Sequence, residues 1–285
     1  MELIFAAALC SVAVSVLLKI CKEKGFSPLQ MIAWNYAAAS ILCYFWFKPD
    51  LQHISAQHTP WWLIFALGAL LPSIFLCLVK SLQTAGILKT EIAQRLSVVL
   101  SLTAAYFIFQ EQFNQLKIIG IVLGMGSVLC ILLSNCSAQG TAAKPQAGLY
   151  LASVWIGYAL VDILLKYTTG LGLQFSVALN LMFICAFALS LAYIAIKEQT
   201  LGAGRNIIAG LGLGVLNFAN IALYVKAHML LKDTPAIVFA GMNILVVLFG
   251  VLGGLVIFKE KLKAASAAGL ALGLLSVMCL AYAMQ

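Results

Sequence analysis

Charge is what this sequence has least of. Asp, Glu, Lys and Arg make up 9% of its 285 residues, whereas a soluble globular domain carries about a quarter, so a water-facing surface wrapped around one core is excluded. Histidine occurs three times. His53 and His58, five apart in HISAQHTPWW, have no further His or Cys beside them, so no group of side chains has zinc-ligand spacing. No Gly-x-x-x-x-Gly-Lys-Ser/Thr is present to cradle a phosphate, which leaves direct ATP drive without support. GLGLG at Gly210–Gly214 lies inside an apolar run with no strand before it, and no Ser/His/Asp set stands at a spacing that would make a nucleophile. Catalytic residues, metal ligands and cofactors are therefore assigned to none, and the expected class is not an enzyme. The opening MELIFAAALCSVAVSVLLKI lacks the basic start and the small-residue cleavage site of a secretory signal, so it is read as a first membrane span.

What is abundant is apolar surface, at 64% of residues. Ten apolar segments stand at about 3–20, 29–47, 61–83, 88–109, 115–134, 147–168, 174–196, 206–229, 234–257 and 263–283. Each has roughly the 20 residues that carry a helix across a hydrocarbon layer of about 30 Å. Backbone amides in lipid must bond within their own segment, so these runs are expected to be helices. The fold class follows: all-α, a polytopic membrane protein with ten transmembrane helices. Of eight cysteines, Cys10, Cys43, Cys77, Cys130, Cys185 and Cys279 fall inside apolar runs, where a thiol packs as a small hydrophobe. The net charge of +8 is spread over short loops, with no cluster that would bind nucleic acid.

The chain also repeats itself. Phe109–Leu132, FQEQFNQLKIIGIVLGMGSVLCIL, aligns at an offset of 149 with Phe258–Ala281, FKEKLKAASAAGLALGLLSVMCLA, superposing Glu111 on Glu260, Gly120 on Gly269, Gly124 on Gly273 and Ser127 on Ser276. VSVLLK ending at Lys19 matches VDILLK ending at Lys166, and Asn35 of AWNY falls near Asn180 of ALNL once two residues of gap are allowed. The polar stretch Asn135–Gln146, NCSAQGTAAKPQ, lies at the middle. The expected division is a first five-helix repeat at 1–137, a linker at 138–146 and a second repeat at 147–285. Five is odd, so equivalent helices cross in opposite directions, giving two inverted five-helix repeats. That arrangement recurs in secondary transporters with a central site between the halves.

Ten helices in two such repeats, each closing on an apolar run, a Glu, a short polar turn and a Gly-containing last helix (FIFQEQFNQLKIIGIVLG and VIFKEKLKAASAAGLALG), resemble the EamA-type transporters of the drug/metabolite transporter superfamily. The resemblance covers essentially the whole chain and is specific for architecture. It implies transport of a small molecule, since members move amino acids, other metabolites, sugar derivatives, choline and drugs, often outward. Members often carry a Pro midway along the fourth and ninth helices, where this sequence has Arg95 and Asn243.

Eleven Lys and Arg lie in the odd-numbered connections and at the helix ends beside them, against five for the even-numbered ones. The positive-inside bias then puts the odd connections in the cytoplasm and both termini outside. Many ten-helix members of the resembling family keep both termini inside instead.

Glu91 and Arg95 are the sharpest candidates for a site. Four apart in KTEIAQRLSVVL, they share a helical face, and ionisable groups near the bilayer centre cost about 2.5–3.5 kcal/mol or more unless they meet a wet cavity or a partner. The pair suits a zwitterion, with Arg95 on a carboxylate and Glu91 on an ammonium group or a transported proton. It would serve equally as an internal salt bridge. Asn35, Asn180, Asn217, Asn220 and Asn243 either line a polar cavity or bond neighbouring helices, and Asn35, Asn180 and Asn243 are preferred for the cavity because they occupy corresponding places in the repeats. Trp155, Tyr158 and Asp162 recur along one helical side, as substrate contacts or as a packed stripe with Asp162 paired to Lys166. Gly120 with Gly124 and Gly269 with Gly273 mark close helix packing, and Glu111 and Glu260 are expected to cap the helices that follow them.

The function expected from these residues is a secondary transporter of a small polar metabolite, an amino acid being the preferred example. It would work by alternating access in the inner (cytoplasmic) membrane, in the direction of export. Proton coupling is allowed, nucleic acid is not a partner, and a monomer would suffice. A multidrug or cation exporter is the alternative within the class; an intramembrane enzyme or a lipid-handling scaffold is the alternative outside it.

Overall fold

The computed structural model describes residues 2–51, 54, 59–109, 114–136, 146–198, 202–231, 235–260 and 264–283. His53, His58, Glu111 and most of the expected linker lie outside the described residues. The helices are α1 (Glu2–Glu23), α2 (Pro28–Phe47), α3 (Trp61–Thr84), α4 (Ile87–Arg95), α5 (Ser97–Phe109), α6 (Gln115–Cys136), α7 (Gln146–Gly170), α8 (Phe175–Glu198), α9 (Gly204–Leu230), α10 (Pro235–Leu252) and α11 (Ala264–Tyr282). A π-helical turn, Gly253–Ile257, extends α10. With α4 and α5 sharing the fourth segment, these make the ten helical rods expected, and no strand occurs among the described residues. Six helices, α1, α3, α7, α8, α9 and α11, are long and apolar enough to cross a membrane on length and composition alone. The chain is a multi-pass membrane protein.

The fourth rod is broken at Leu96. Leu96 leaves the helix between α4 and α5, and Ser97 Oγ donates to the Gln94 carbonyl at 2.7 Å, a local bond that competes with the helical ladder. The carbonyl of Leu96 accepts from the Trp155 indole Nε1 of α7 at 3.0 Å and from the Val99 amide at 3.0 Å. A break is therefore built here without proline.

Two seams hold the bundle. α6 runs antiparallel to α11, and the contacts are reciprocal: Ser127 Oγ donates to the Gly269 carbonyl at 2.5 Å, and Ser276 Oγ donates to the Gly120 carbonyl at 2.6 Å. The offset of 149 carries each of these bonds onto the other, so the seam has local two-fold symmetry. A Cβ on Gly120 would meet Leu280 Cγ at 2.8 Å, which is why glycine stands there. The second seam joins α2 to α9 and gives GLGLG its role: a Cβ on Gly210 or Gly214 would stand 2.7 Å from the Met31 carbonyl oxygen or 2.5 Å from that of Asn35.

The first, third, seventh and ninth connections gather at one end. Lys19 of α1, Ile87 of α4 and Glu260 ahead of α11 meet there. So do Ser27, Gln30, Glu198 and Asn206, through Ser27 Oγ to Glu198 Oε1 at 3.0 Å, Gln30 Nε2 to Glu198 Oε2 at 2.5 Å and Asn206 Nδ2 to Gln30 Oε1 at 2.6 Å. Glu260 corrects an expectation. It caps α4 across the bundle, accepting from the amides of Ile87 at 2.8 Å and Leu88 at 3.2 Å, while the residues between it and α11 lie outside the described ones.

Candidate functional site: a cavity lined by Arg95 and Asp162

A cavity of about 430 Å³ opens between α2, α3, α4, α7, α8, α9 and α10. At its inner end Tyr36 packs on Phe75 and Phe183, ring centroids 5.9 and 6.0 Å away, and beyond them lie the polar clusters of the odd connections. Towards the other end it is lined by Leu165, Phe175, Val225 and Phe239, which stand near the even connections. Its charged lining consists of Arg95 and Asp162, its amide lining of Gln94, Asn217, Asn220 and Asn243, and its phenols of Tyr36, Tyr158 and Tyr224.

The helix break positions Arg95. As the last residue of α4, it lies where the rod loosens, and its NH2 donates to Ser11 Oγ of α1. Glu91, one turn earlier and 1% exposed, accepts instead from Ser15 Oγ. Lys19, one further turn along α1, reaches the start of α4 through Glu260. Three polar rungs thus join α1 to α4, at Ser11–Arg95, Ser15–Glu91 and Lys19–Glu260–Ile87. The arrangement keeps Glu91 and Arg95 from closing on each other as an ion pair within 4.0 Å. Arg95 faces the cavity and Glu91 does not. The carboxylate that does is Asp162 of α7, whose Oδ2 accepts from Ser101 Oγ at 3.4 Å.

The structure sorts the other candidates by what surrounds them. Tyr158 and Asn243 line the cavity, with Asn243 Nδ2 donating to the Phe239 carbonyl one turn back at 2.8 Å. Asn35, fully buried, accepts at Oδ1 from Asn217 Nδ2 at 3.3 Å, and Asn180, 1% exposed, donates to the Ser40 carbonyl at 3.0 Å. Both lie in helix contacts off the cavity, whereas Asn217 and Asn220 line it. Of the five asparagines only Asn243 falls as preferred, because equivalence in a repeat fixes a place along a helix and not the side it presents. Trp155 is spent on the Leu96 carbonyl and is not among the cavity residues. The serines of α1 were not singled out, although Ser11 and Ser15, four apart in an apolar helix, carry the same spacing signal as Glu91 and Arg95.

A ten-rod apolar bundle with charged, amide and phenolic groups turned into an internal cavity defines a polytopic membrane protein of the transporter class. The family can be stated as well: residues 2–133 match the model of the EamA-like transporter family, and the chain belongs to that family, within the drug/metabolite transporter superfamily. A protein of Haemophilus influenzae described as an "Uncharacterized protein" is 40% identical over 288 residues, covering 99% of this chain and 97% of its own. A solved structure, described as "Crystal structure of protein", superposes with a TM-score of 0.58 over 96% of each chain at 14% identity, a likeness of fold alone.

Proposed function

We propose that this chain is a secondary transporter of a small zwitterionic metabolite, an amino acid by preference, working by alternating access in the inner membrane. The observation that carries the reading is the placement of one cation and one anion, Arg95 and Asp162, among the described residues lining a single cavity of about 430 Å³ whose remaining walls are aliphatic, aromatic and amide. Arg95 offers a planar fork to a carboxylate, Asp162 takes the ammonium group, and the phenyl and phenol rings receive the side chain. Glu91 is not on the lining, so the ammonium falls to Asp162.

Support for alternating access comes from the antiparallel, reciprocal seam of α6 and α11, the relation expected of two inverted repeats that rock about a central site. The excess of Lys and Arg in the odd connections supports a cytoplasmic position for that end of the bundle. Arg95 disfavours the alternative of a purely cationic drug.

Flux of radiolabelled amino acids into liposomes carrying the purified chain tests the proposal. Arg95→Ala and Asp162→Asn variants that retain their fold should each lose at least about tenfold in flux, roughly the 1.4 kcal/mol of one charge-assisted contact or more. Undiminished flux in both variants would refute the site. Chemical alteration of lipid without flux would favour an intramembrane enzyme or scaffold.

A further inference from the structure

Glu91 is a buried carboxylate that the proposed substrate site does not use. Its Oε1 accepts from Ser15 Oγ, while Oε2 has no hydrogen-bond partner. The α10 backbone closes over it, since a Cβ on Gly250 would stand 2.9 Å from Glu91 Cγ. A carboxylate in hydrocarbon with one oxygen unsatisfied is poorly suited to permanent ionisation.

Beside Ser15 lies a second, smaller cavity of about 20 Å³, lined by Ser11, Ser15, Gln94, Tyr158, Asn217 and Asn220 among its polar groups. That is room for one water, which needs two to four polar partners. Gln94, Tyr158, Asn217 and Asn220 also line the large cavity, so the small one borders both the substrate space and the serine that holds Glu91.

We propose that Glu91 is the proton site of this protein, loaded from the large cavity through a water in the small one and through Ser15. The step balances without another reactant. The water passes a proton to a lone pair of Ser15 Oγ, the serine's own proton moves to Glu91 Oε1, and the water regains a proton from the large cavity. Glu91 gains one proton and the relay is restored.

The surrounding charges give the proton something to drive. On α4 the charged side chains are Lys89 and Arg95, the latter one turn away and bonded to Ser11. From α1 come Ser11, Ser15 and Lys19, the last paired with Glu260; from α7, Tyr158 and Asp162. Lys80 of α3 is turned onto the Tyr150 ring. α10 and α11 contain no charged side chain, and α6 has Lys117 only, near its opposite end. Neutralising Glu91 removes a counter-charge from Arg95 and leaves that cation to Asp162 and to a substrate carboxylate. Only this coupling rests on the transporter reading; the proton site does not.

Infrared spectroscopy of the full chain in liposomes, titrated between about pH 4 and pH 10, tests it. The difference between the parent chain and Glu91→Gln should contain a protonated-carboxyl band that appears and vanishes with pH, and that band should persist in Asp162→Asn, with Glu91→Asp retaining it at a shifted frequency if the amide variant does not fold. Ser15→Ala should keep the band, moved in frequency, and slow proton release after a pH jump, read by pyranine, at least about tenfold. A titration unaltered by Glu91→Gln, or release unslowed by Ser15→Ala, would overturn the site or its relay respectively. A titrating Glu91 in a chain that moves no labelled amino acid would refute the cargo and leave the proton site standing.

Discussion

Lys19 Nζ donates to Glu260 Oε1 across 2.7 Å, tying the last turn of α1 to the connection ahead of α11, and the same carboxylate accepts from the amides of Ile87 and Leu88. Lys19 also lies 4.1 Å from the centroid of the Phe258 ring. The pair is 11% and 18% exposed, so each charge depends on its neighbours.

That asymmetry of partners predicts an order of stabilities. Glu260→Ala strands a buried ammonium group and two helix-start amides and should cost about 3–5 kcal/mol, the range for breaking a buried pair. Lys19→Met leaves Glu260 bonded to both amides and should cost less. Thermal unfolding in detergent checks the order, and equal losses would contradict the cap on α4.

The α2–α9 seam makes a prediction with its own control. Gly214→Ala puts a Cβ 2.5 Å from the Asn35 carbonyl oxygen, against backbone that cannot move aside cheaply, whereas a Cβ on Gly212 meets nothing within 4 Å. Gly214→Ala should destabilise by about 1–3 kcal/mol as overpacking does. Gly212→Ala should be neutral or stabilise by up to about 1 kcal/mol through helix propensity. Both are read from denaturation midpoints.

Trp155 separates support of the backbone from contact with substrate. Trp155→Phe removes the indole donor from the Leu96 carbonyl and should lower stability by about 1 kcal/mol, with the apparent KM for flux unchanged. A large rise in KM with stability intact would place the ring in the binding site instead.

At the α6–α11 seam, Ser127→Ala and Ser276→Ala each delete one hydrogen bond to a carbonyl of the opposite helix. Equivalent surroundings predict similar losses, about 1 kcal/mol each. Unequal losses would mean that the two halves do not share the seam evenly.

The candidate site was half legible in advance. Arg95, Tyr158 and Asn243 were named from the sequence and line the cavity. Asp162 also lines it, which spacing along α7 cannot show, since spacing gives only that Lys166 follows one turn later. Asn35 and Asn180 misled for a related reason: an amide that bonds a neighbouring helix and one that faces a cavity have the same local sequence. Glu260 stands just ahead of α11 in the sequence, and only the approach of α4 from 173 residues away shows that it caps that helix.

The sequence by itself determined that this is a bundle of apolar helices, where the ten rods lie and that the last rod of each half is a copy of the other, since hydropathy, length and repetition act along the chain. The tertiary structure alone decided that Arg95 and Glu91 turn to different serines, that Asp162 supplies the anion of the cavity, and that GLGLG is a packing seam. Those outcomes depend on which faces of distant helices meet, and a helical face becomes a cavity wall or a buried contact only when its neighbour arrives.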